Sequence, residues 1–437
     1  MADRRLYVFA CLPGEVLAVP AGELTLAEEG ATLRGSRFVY GTRYIARANA
    51  FEIDPISLAF RQKKPEAGHI HVPVNELAIF GAIADAAPDY WGRQVIAARL
   101  KVASGTLPES TYLLNAGQNR TGALDIRESI DASPDGGSGL MKVQQLGRMV
   151  EAAQRLEAGD KLPAALLQAL EPGSSMGGAR PKAVLEHNNQ MWLAKFPSQR
   201  DPFNIPRVEY ATLRLAARCG LNVPALALIH LDGKKDVLLV KRFDREHAAQ
   251  GYLRRHYVSA LSLLGKHPGE TLGTSYVDIV GAIRRHVTPA AIEASARELF
   301  GRMVFNILCT NDDDHLKNHG FLWNGESFEL SPLFDVVPHP QIATERYLNL
   351  GIGDEGRLAT LTNAMSKYAA FGLTVTEAAG IVERIARVTR QWKGYFEESG
   401  VSGKDIEKVT SAFRRPTDIG LDEVKKRLKR SKPTLRS

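Results

Sequence analysis

Short apolar runs broken by turn residues fill the first part of the chain, and a helical period takes over later. Residues 5–11 (R-L-Y-V-F-A-C) read as a strand, with 15–19 as its partner. Residues 38–44 and 51–60 add extended, β-rich sequence. Asn75 is placed to cap a helix that carries Leu77, Phe80 and Ile83 on one face. Pro88 ends that helix or begins the next, which carries Trp91, Val95, Ile96 and Leu100. Residues 112–116 lead into a turn-rich segment at 117–124, and 128–140 (E-S-I-D-A-S-P-D-G-G-S-G-L) reads as a loop or linker.

Helical periodicity returns at 143–158 through Leu146, Met149, Val150, Ala153 and Leu156, with a short helix at about 162–170. The segment P-G-S-S-M-G-G-A-R-P-K at 172–182 follows. Its glycines permit close backbone approach to a ligand, Ser174 and Ser175 offer hydroxyls, and Arg180 and Lys182 offer cationic heads. It matches neither a P-loop nor G-x-G-x-x-G, so a phosphate cradle and a Gly-Ser linker both fit it. Residues 183–185 and 191–196 read as strands joined by a turn at 187–190; Lys195 lies in the second, either on its polar face or reaching back under the glycine-rich loop. A helix at 207–219 presents Val208, Ala211, Leu215 and Cys219 on one stripe, and Glu209 is available to pair with Lys195 or to suit the helix dipole. Strands at 225–231 and 236–243 complete the order strand, strand, helix, strand, strand of a nucleotide-clamping lobe.

After Arg245 the pattern is mainly helical: 257–264, 276–287, 289–299, 302–308, 355–365, 374–398 and 403–412. Thr288-Pro289 reads as a cap followed by proline in the first turn. The predicted organisation is a β-rich N-terminal subdomain with helices at 1–130, a nucleotide lobe at 131–245 and a helical lobe at 246–437. No internal repeat is present.

The helical part is interrupted by C-T-N-D-D-D-H-L-K-N-H-G-F, residues 309–321. Three adjacent carboxylates, Asp312, Asp313 and Asp314, repel unless a cation or donor neutralises them. Taken alone, the run also reads as a solvated acidic loop. A second carboxylate segment, S-P-L-F-D-V-V-P at 331–338, places Asp335 inside an apolar run, where it needs a partner or caps a turn. Between the two lie apolar residues 321–323, an Asn324-Gly325 turn, Phe328 and Leu330, a hairpin signal that brings Asn318 and Asp335 to one end of a ribbon. Asn318 and Asp335 are oxygen donors suited to a divalent metal that holds nucleotide phosphates. Asp313, five residues before Asn318, has the spacing of a kinase catalytic base to its metal-binding asparagine. Lys317 can offset charge on a transferring phosphoryl group, and His315 braces the loop. His315 and His319 have the i,i+4 spacing of a zinc helix, but Leu316 stands where that motif has glutamate.

Composition narrows the class without deciding it. The chain has 437 residues, 44% hydrophobic and 24% charged, enough for two or three soluble domains. Three cysteines without a pairing pattern point to a reducing compartment, hence a cytoplasmic location. No run suggests a signal peptide or a membrane span. The formal charge of +7 favours anionic ligands only weakly. The tail carries Lys425, Lys426, Arg427, Lys429, Arg430 and Lys432, which suits phosphates, nucleic acid or an acidic protein face, or simply a solvated terminus.

Taken together, these motifs resemble the HipA-type serine/threonine kinases, the toxin halves of bacterial toxin–antitoxin pairs. S-x-x-G-A-x-x-K is similar to the stretch from Ser175 to Lys182, with Gly177, Gly178 and Ala179 inside it. The strand lysine is Lys195 in A-K-F-P, the interlobe segment is V-K-R-F-D-R at 240–245, D-x-H-x-K-N runs from Asp313 to Asn318, and the metal carboxylate is Asp335 in L-F-D-V. A-P-D-Y-W-G-R at 87–93 also looks like the family's extra N-terminal subdomain. The chain departs from the pattern at Arg180, where Gln is common, and at Lys241, where Glu is common. The resemblance implies an α+β, two-lobed protein-kinase-like (HipA-like) fold with a β-rich N-terminal subdomain and a mainly helical C-lobe. It implies ATP and Mg2+, with Asp313 as catalytic base, Asn318 and Asp335 on the metal, and Lys195 on the phosphates. It places Lys241 and Phe243 at the adenine hinge, and makes Ser175 (Ser174 being the alternative) the autophosphorylated residue. Its implied partners are a small DNA-binding antitoxin, through which DNA is met indirectly, and a protein substrate, an aminoacyl-tRNA synthetase in some members. A kinase of a small-molecule hydroxyl and a non-catalytic regulatory subunit bound to antitoxin and DNA are the alternatives.

Overall fold

The computed structural model describes residues 2–133, 141–173, 178–232, 235–269 and 272–431. Ser174, Ser175, Met176, Gly177 and Lys432 lie outside the described residues. The chain divides into two compact units. One comprises Met1–Arg200, Leu226–His267 and Gly320–Glu326; the other comprises Asp201–Ala225, Pro268–His319 and Ser327–Ser437. The helix expected at 207–219, drawn above with the nucleotide lobe, groups with the second unit as Ile205–Arg218.

The first unit holds two larger sheets, one antiparallel and one mixed, whose Met141–Lys142 strand runs parallel to its neighbour Lys182–His187. The N-terminal sheet has the order Thr32–Tyr40, Ala18–Glu29, Ala2–Cys11, Leu124–Arg127. Its inward side chains, Leu6, Val8, Leu24, Leu26 and Phe38, are fully buried and alternate along their strands, which fixes the register. Three local readings of this region are corrected. Residues 41–45 turn into the helix Thr42–Ile45, and 51–60 form no strand. That second segment is apolar because Phe51, Ile53, Leu58 and Phe60 are core, while Tyr40 Oη accepts from Ile53 N and donates to Leu58 O. Asn75 starts no helix. It adopts φ +53° and donates to Gly265 O at 2.8 Å, and the helix is only Gly81–Asp85.

The second sheet has five strands, in the order Met141–Lys142, Lys182–His187, Gln190–Lys195, Lys235–Lys241, Leu226–Leu231. Its tight hairpin turns on Asn188 and Asn189, both with positive φ, the conformation an I′ turn demands and asparagine tolerates. The helix Leu146–Ala158 packs its apolar stripe, Leu146, Met149, Val150 and Ala153, into the core formed by Ala183, Leu185, Ala194 and Leu239. Beyond Lys241 the sequence hid a two-stranded ribbon, Arg245–Ala248 with Gly251–Arg254, and a strand at Tyr257–Ser259 where helix was expected.

The second unit is helical. Its central element is one helix, Pro289–Cys309, rather than the two expected at 289–299 and 302–308. Gly301 does not break it; a Cβ there would meet Leu221 Cδ2 at 2.9 Å, so the glycine allows close packing. The helix ends at Thr310, which has φ +49°, and the polar stretch begins there. Val375–Thr389 starts with a capping box between Thr374 and Glu377. Residues 355–360 are irregular, and the short helix is Leu361–Ala364. No helix among the described residues is long and apolar enough to cross a membrane.

Candidate active site

The acidic run of the second unit resolves into three carboxylates with three environments. Asp314 is buried. It accepts from Tyr276 Oη and from His319 Nε2, the latter at 3.1 Å. The Tyr276 hydroxyl also receives Asn306 Nδ2 at 3.2 Å, and Asn306 Oδ1 receives Asn311 Nδ2 at 3.1 Å. A continuous polar network therefore runs under the loop, rooted in the central helix. Burial alone would raise the Asp314 pKa, but the imidazole of His319 and the hydrogen bonds from His319 and Tyr276 outweigh it and hold it below the usual range. Burial and the Asp314 charge push the Tyr276 phenol well up, so it stays a donor.

Asp312 accepts from His339 Nδ1 and Gln341 Nε2. That hydrogen bond raises the His339 pKa despite partial burial. Asp313 is the exposed member, and no described side chain donates to its carboxylate. Partial desolvation raises its pKa, as do the charges of Asp335 and Asp312, against the lowering influence of His315 and His339.

Asn318 sits at the end of the short 3-10 turn Leu316–Asn318. Its Nδ2 donates to the backbone oxygen of Asp313 at 3.0 Å, which fixes the amide and leaves Oδ1 as the atom for a cation. His315 lends its backbone to the turn: its N–H donates to Asp313 O, and its carbonyl accepts from Asn318 N, both at 2.9 Å. Side-chain bracing of Asp314 falls to His319. Lys317 is half-buried on the same turn. Asp335 adopts φ +59°, a left-handed conformation that costs a non-glycine residue about 1 kcal/mol or more. Buried Leu333 and Val336 pin it on either side, and Leu333 N donates to Asn222 O at 2.7 Å. Among the described residues no group of three or more His, Cys, Asp or Glu is arranged to hold a metal ion. An amide oxygen and one carboxylate suit a cation that takes its remaining ligands from phosphate and water.

The first unit carries the cationic residues. Lys182 and Lys195 are cross-strand partners, both buried, on the hairpin that follows the glycine-rich loop. Gly178 has φ +88°, and a Cβ there would lie 2.5 Å from Lys182 Nζ, so the ammonium is held against the backbone of the loop. The loop end is anchored by residues the sequence motif did not single out for this role. Gly178 N donates to Asp89 Oδ2 at 3.1 Å, Trp91 N donates to Gly178 O at 3.2 Å, and Trp91 Nε1 donates to Lys182 O at 2.8 Å. Ala179 is exposed, and Lys241 and Phe243 are half-buried around the end of Lys235–Lys241.

A family model described as the HipA-like C-terminal domain matches residues 174–392. The chain belongs to the HipA-like family. Across the family, it is 26% identical over 234 residues to the serine/threonine-protein kinase toxin HipA of Shewanella oneidensis, a match that covers 47% of this chain and 52% of that protein. The chain spans between 52% and 58% of the length of two such curated relatives. A solved structure of the Shewanella oneidensis toxin–antitoxin system, HipA with HipB and its operator DNA, aligns with a TM-score of 0.66 at 18% identity, covering 96% of this chain and 97% of that one. The likeness shows the fold: the α+β, two-lobed, kinase-like HipA fold that the motifs implied.

Tyr276, Asn306, His339 and Gln341 were not singled out from sequence. Asn306 carried a signal, as the lone polar residue in V-F-N-I-L-C. Tyr276 resembled a core aromatic, and His339 and Gln341 lie in a proline-rich stretch with no period to read.

Proposed function

We propose that the chain is an ATP- and Mg2+-dependent protein serine/threonine kinase, the toxin of a pair completed by a small DNA-binding antitoxin. The observation that carries this reading is the loop from Asp313 to Asn318: an exposed carboxylate, with its pKa raised, whose own backbone oxygen orients the metal-binding amide five residues on. Mg2+ and ATP supply an electrophilic phosphoryl group, and this chain supplies orientation and a proton acceptor. Asp313 orients the acceptor hydroxyl and takes its proton. Asn318 Oδ1 and the Asp335 carboxylate hold the metal, and Lys317 and His315 shape the charge around Asp313. In the first unit Lys195 and Lys182 bind phosphate oxygens, with Gly178 and Ala179 admitting the nucleotide close to the backbone and Lys241 and Phe243 lining the adenine side. Ser175, or Ser174 beside it, is the self-modified hydroxyl, and Gly177 belongs to the same loop. We assign residues 1–130, 131–245 and 246–437 to an N-terminal subdomain and two kinase lobes, a cytoplasmic location, and an aminoacyl-tRNA synthetase as the first acceptor to try. DNA is reached through the antitoxin.

Labelled ATP and Mg2+ incubated with the purified chain, alone and with host lysate, test the reading. Label on the chain itself and on a protein acceptor is expected, with the self-label lost in Ser175→Ala or Ser174→Ala. Turnover that labels only small molecules would replace the protein acceptor by a small one. No nucleotide binding at all would refute the enzyme reading.

A further inference from the structure

The chain between Asp312 and Gln341 is closed into a ring by one side chain. The Asp312 carboxylate takes His339 Nδ1 and Gln341 Nε2 together. Two further bonds tie the same two stretches, His339 N to Thr310 O at 3.0 Å and Arg346 Nη1 to Thr310 Oγ1 at 2.7 Å, while Arg346 Nη2 to Gln341 O at 2.9 Å holds the second stretch to itself. Residues 331–346 contain no helix or strand, so side-chain bonds take the place of a backbone ladder in fixing them. Thr310, the anchor, is buried at the end of the central helix, and its hydroxyl also donates to Ala412 O at 2.5 Å. Asp313 and Asp335 both lie on the ring that Asp312 closes.

We propose that Asp312 is a positioning residue, which through His339 and Gln341 sets where Asp335 stands relative to Asp313. The inference rests on the kinase reading for its effect on rate, but not for the clamp itself. Magnitudes separate this role from ordinary stabilisation. The Asp312 and His339 side chains are 27% and 42% exposed, and ion pairs of that exposure add little to stability. Misplacing a reacting group by an ångström can cost about 100-fold in rate. Losing the clamp should therefore affect the rate far more than the fold.

The test uses the full chain as Asp312→Ala, His339→Ala, the double variant and Asp312→Asn. Three quantities are read: the transfer rate at saturating MgATP, the MgATP dissociation constant, and amide hydrogen exchange over 339–346. Asp312→Ala should slow transfer at saturating MgATP about 10- to 100-fold, with exchange over 339–346 accelerated. The double variant should be no slower than Asp312→Ala, because both remove one clamp. Asp312→Asn, which keeps one acceptor oxygen, should recover part of the rate. A parental rate in Asp312→Ala, or additive losses in the double variant, would overturn the proposal. If the parent itself fails to bind or turn over MgATP, the kinase reading fails, and exchange still decides the clamp: faster exchange in Asp312→Ala keeps it, and unchanged exchange removes it.

Discussion

Burying the Asp314 carboxylate is tolerable only because Tyr276 and His319 both donate to it. Removing one donor leaves the other in place and a lone pair unmet. Tyr276→Phe should therefore destabilise the second unit by about 1–3 kcal/mol in denaturant unfolding, with Asn306 losing its acceptor as well. The pH dependence follows from the sign of the shift. The Asp314 pKa in the fold is held below its ordinary value, so its contribution is present above pH 3.8 and is lost as pH falls through the lowered value. Asp314→Asn should flatten the acid limb of stability below pH 3.8. At this scale the sequence was legible in kind but not in assignment. Three adjacent aspartates announced a neutralising environment, and the kinase spacing to Asn318 singled out Asp313. Nothing in the sequence could show that His339 and Gln341, nearly thirty residues on, would satisfy Asp312, because those contacts depend on an irregular segment with no period to follow.

Elements were legible where burial imposes a period and illegible where polar bonds do the fixing. The helix Leu146–Ala158 and the hairpin from Lys182 to Lys195 follow from apolar stripes and an Asn-Asn turn. The segment 242–245 is different. Asp244 accepts from Arg242 Nε at 2.9 Å, Arg242 Nη2 at 2.6 Å, Arg245 Nη1 at 2.8 Å and Gly122 N at 2.8 Å. Arg242 and Arg245 then donate to the backbone oxygens of Asn119, Arg120 and Gly122. This buried group welds the turn-rich 117–124 stretch to the end of the five-stranded sheet. Despite its burial, the two guanidinium groups hold the Asp244 carboxyl far below the carboxylate range. Asp244→Ala leaves two buried cations short of a partner and should cost about 3–5 kcal/mol, read from the chemical unfolding midpoint. Thr374→Ala, which removes only a helix cap, should cost about 1 kcal/mol.

The two units should differ in how they respond to acid. His256 in the first unit is buried, with Nε2 bonded to Ile53 O at 2.8 Å, and burial lowers its pKa from 6.5 to about 4. The unfolded chain binds this proton first, so stability falls as pH drops from 6.5 towards about 4, by up to about 1.4 kcal/mol per pH unit. Trp91, Trp192 and Trp323 lie in the first unit, so tryptophan fluorescence during urea unfolding reports mainly on it. His256→Gln should remove that slope. At the scale of the molecule, family and fold class were legible from ordered motifs. The pairing that groups Gly320–Glu326 with the first unit, its strand against Tyr257–Ser259, carries no signal in the order of the chain. On the proposed reading, Asp313 takes the acceptor proton in a phosphoryl transfer. Its most direct test is the transfer rate from labelled ATP, measured with MgATP affinity in the same preparations of parent and Asp313→Asn. Asp313→Asn should lose about 100- to 10,000-fold in rate with affinity unchanged. An Asp313→Asn chain that transfers at the parental rate would contradict it.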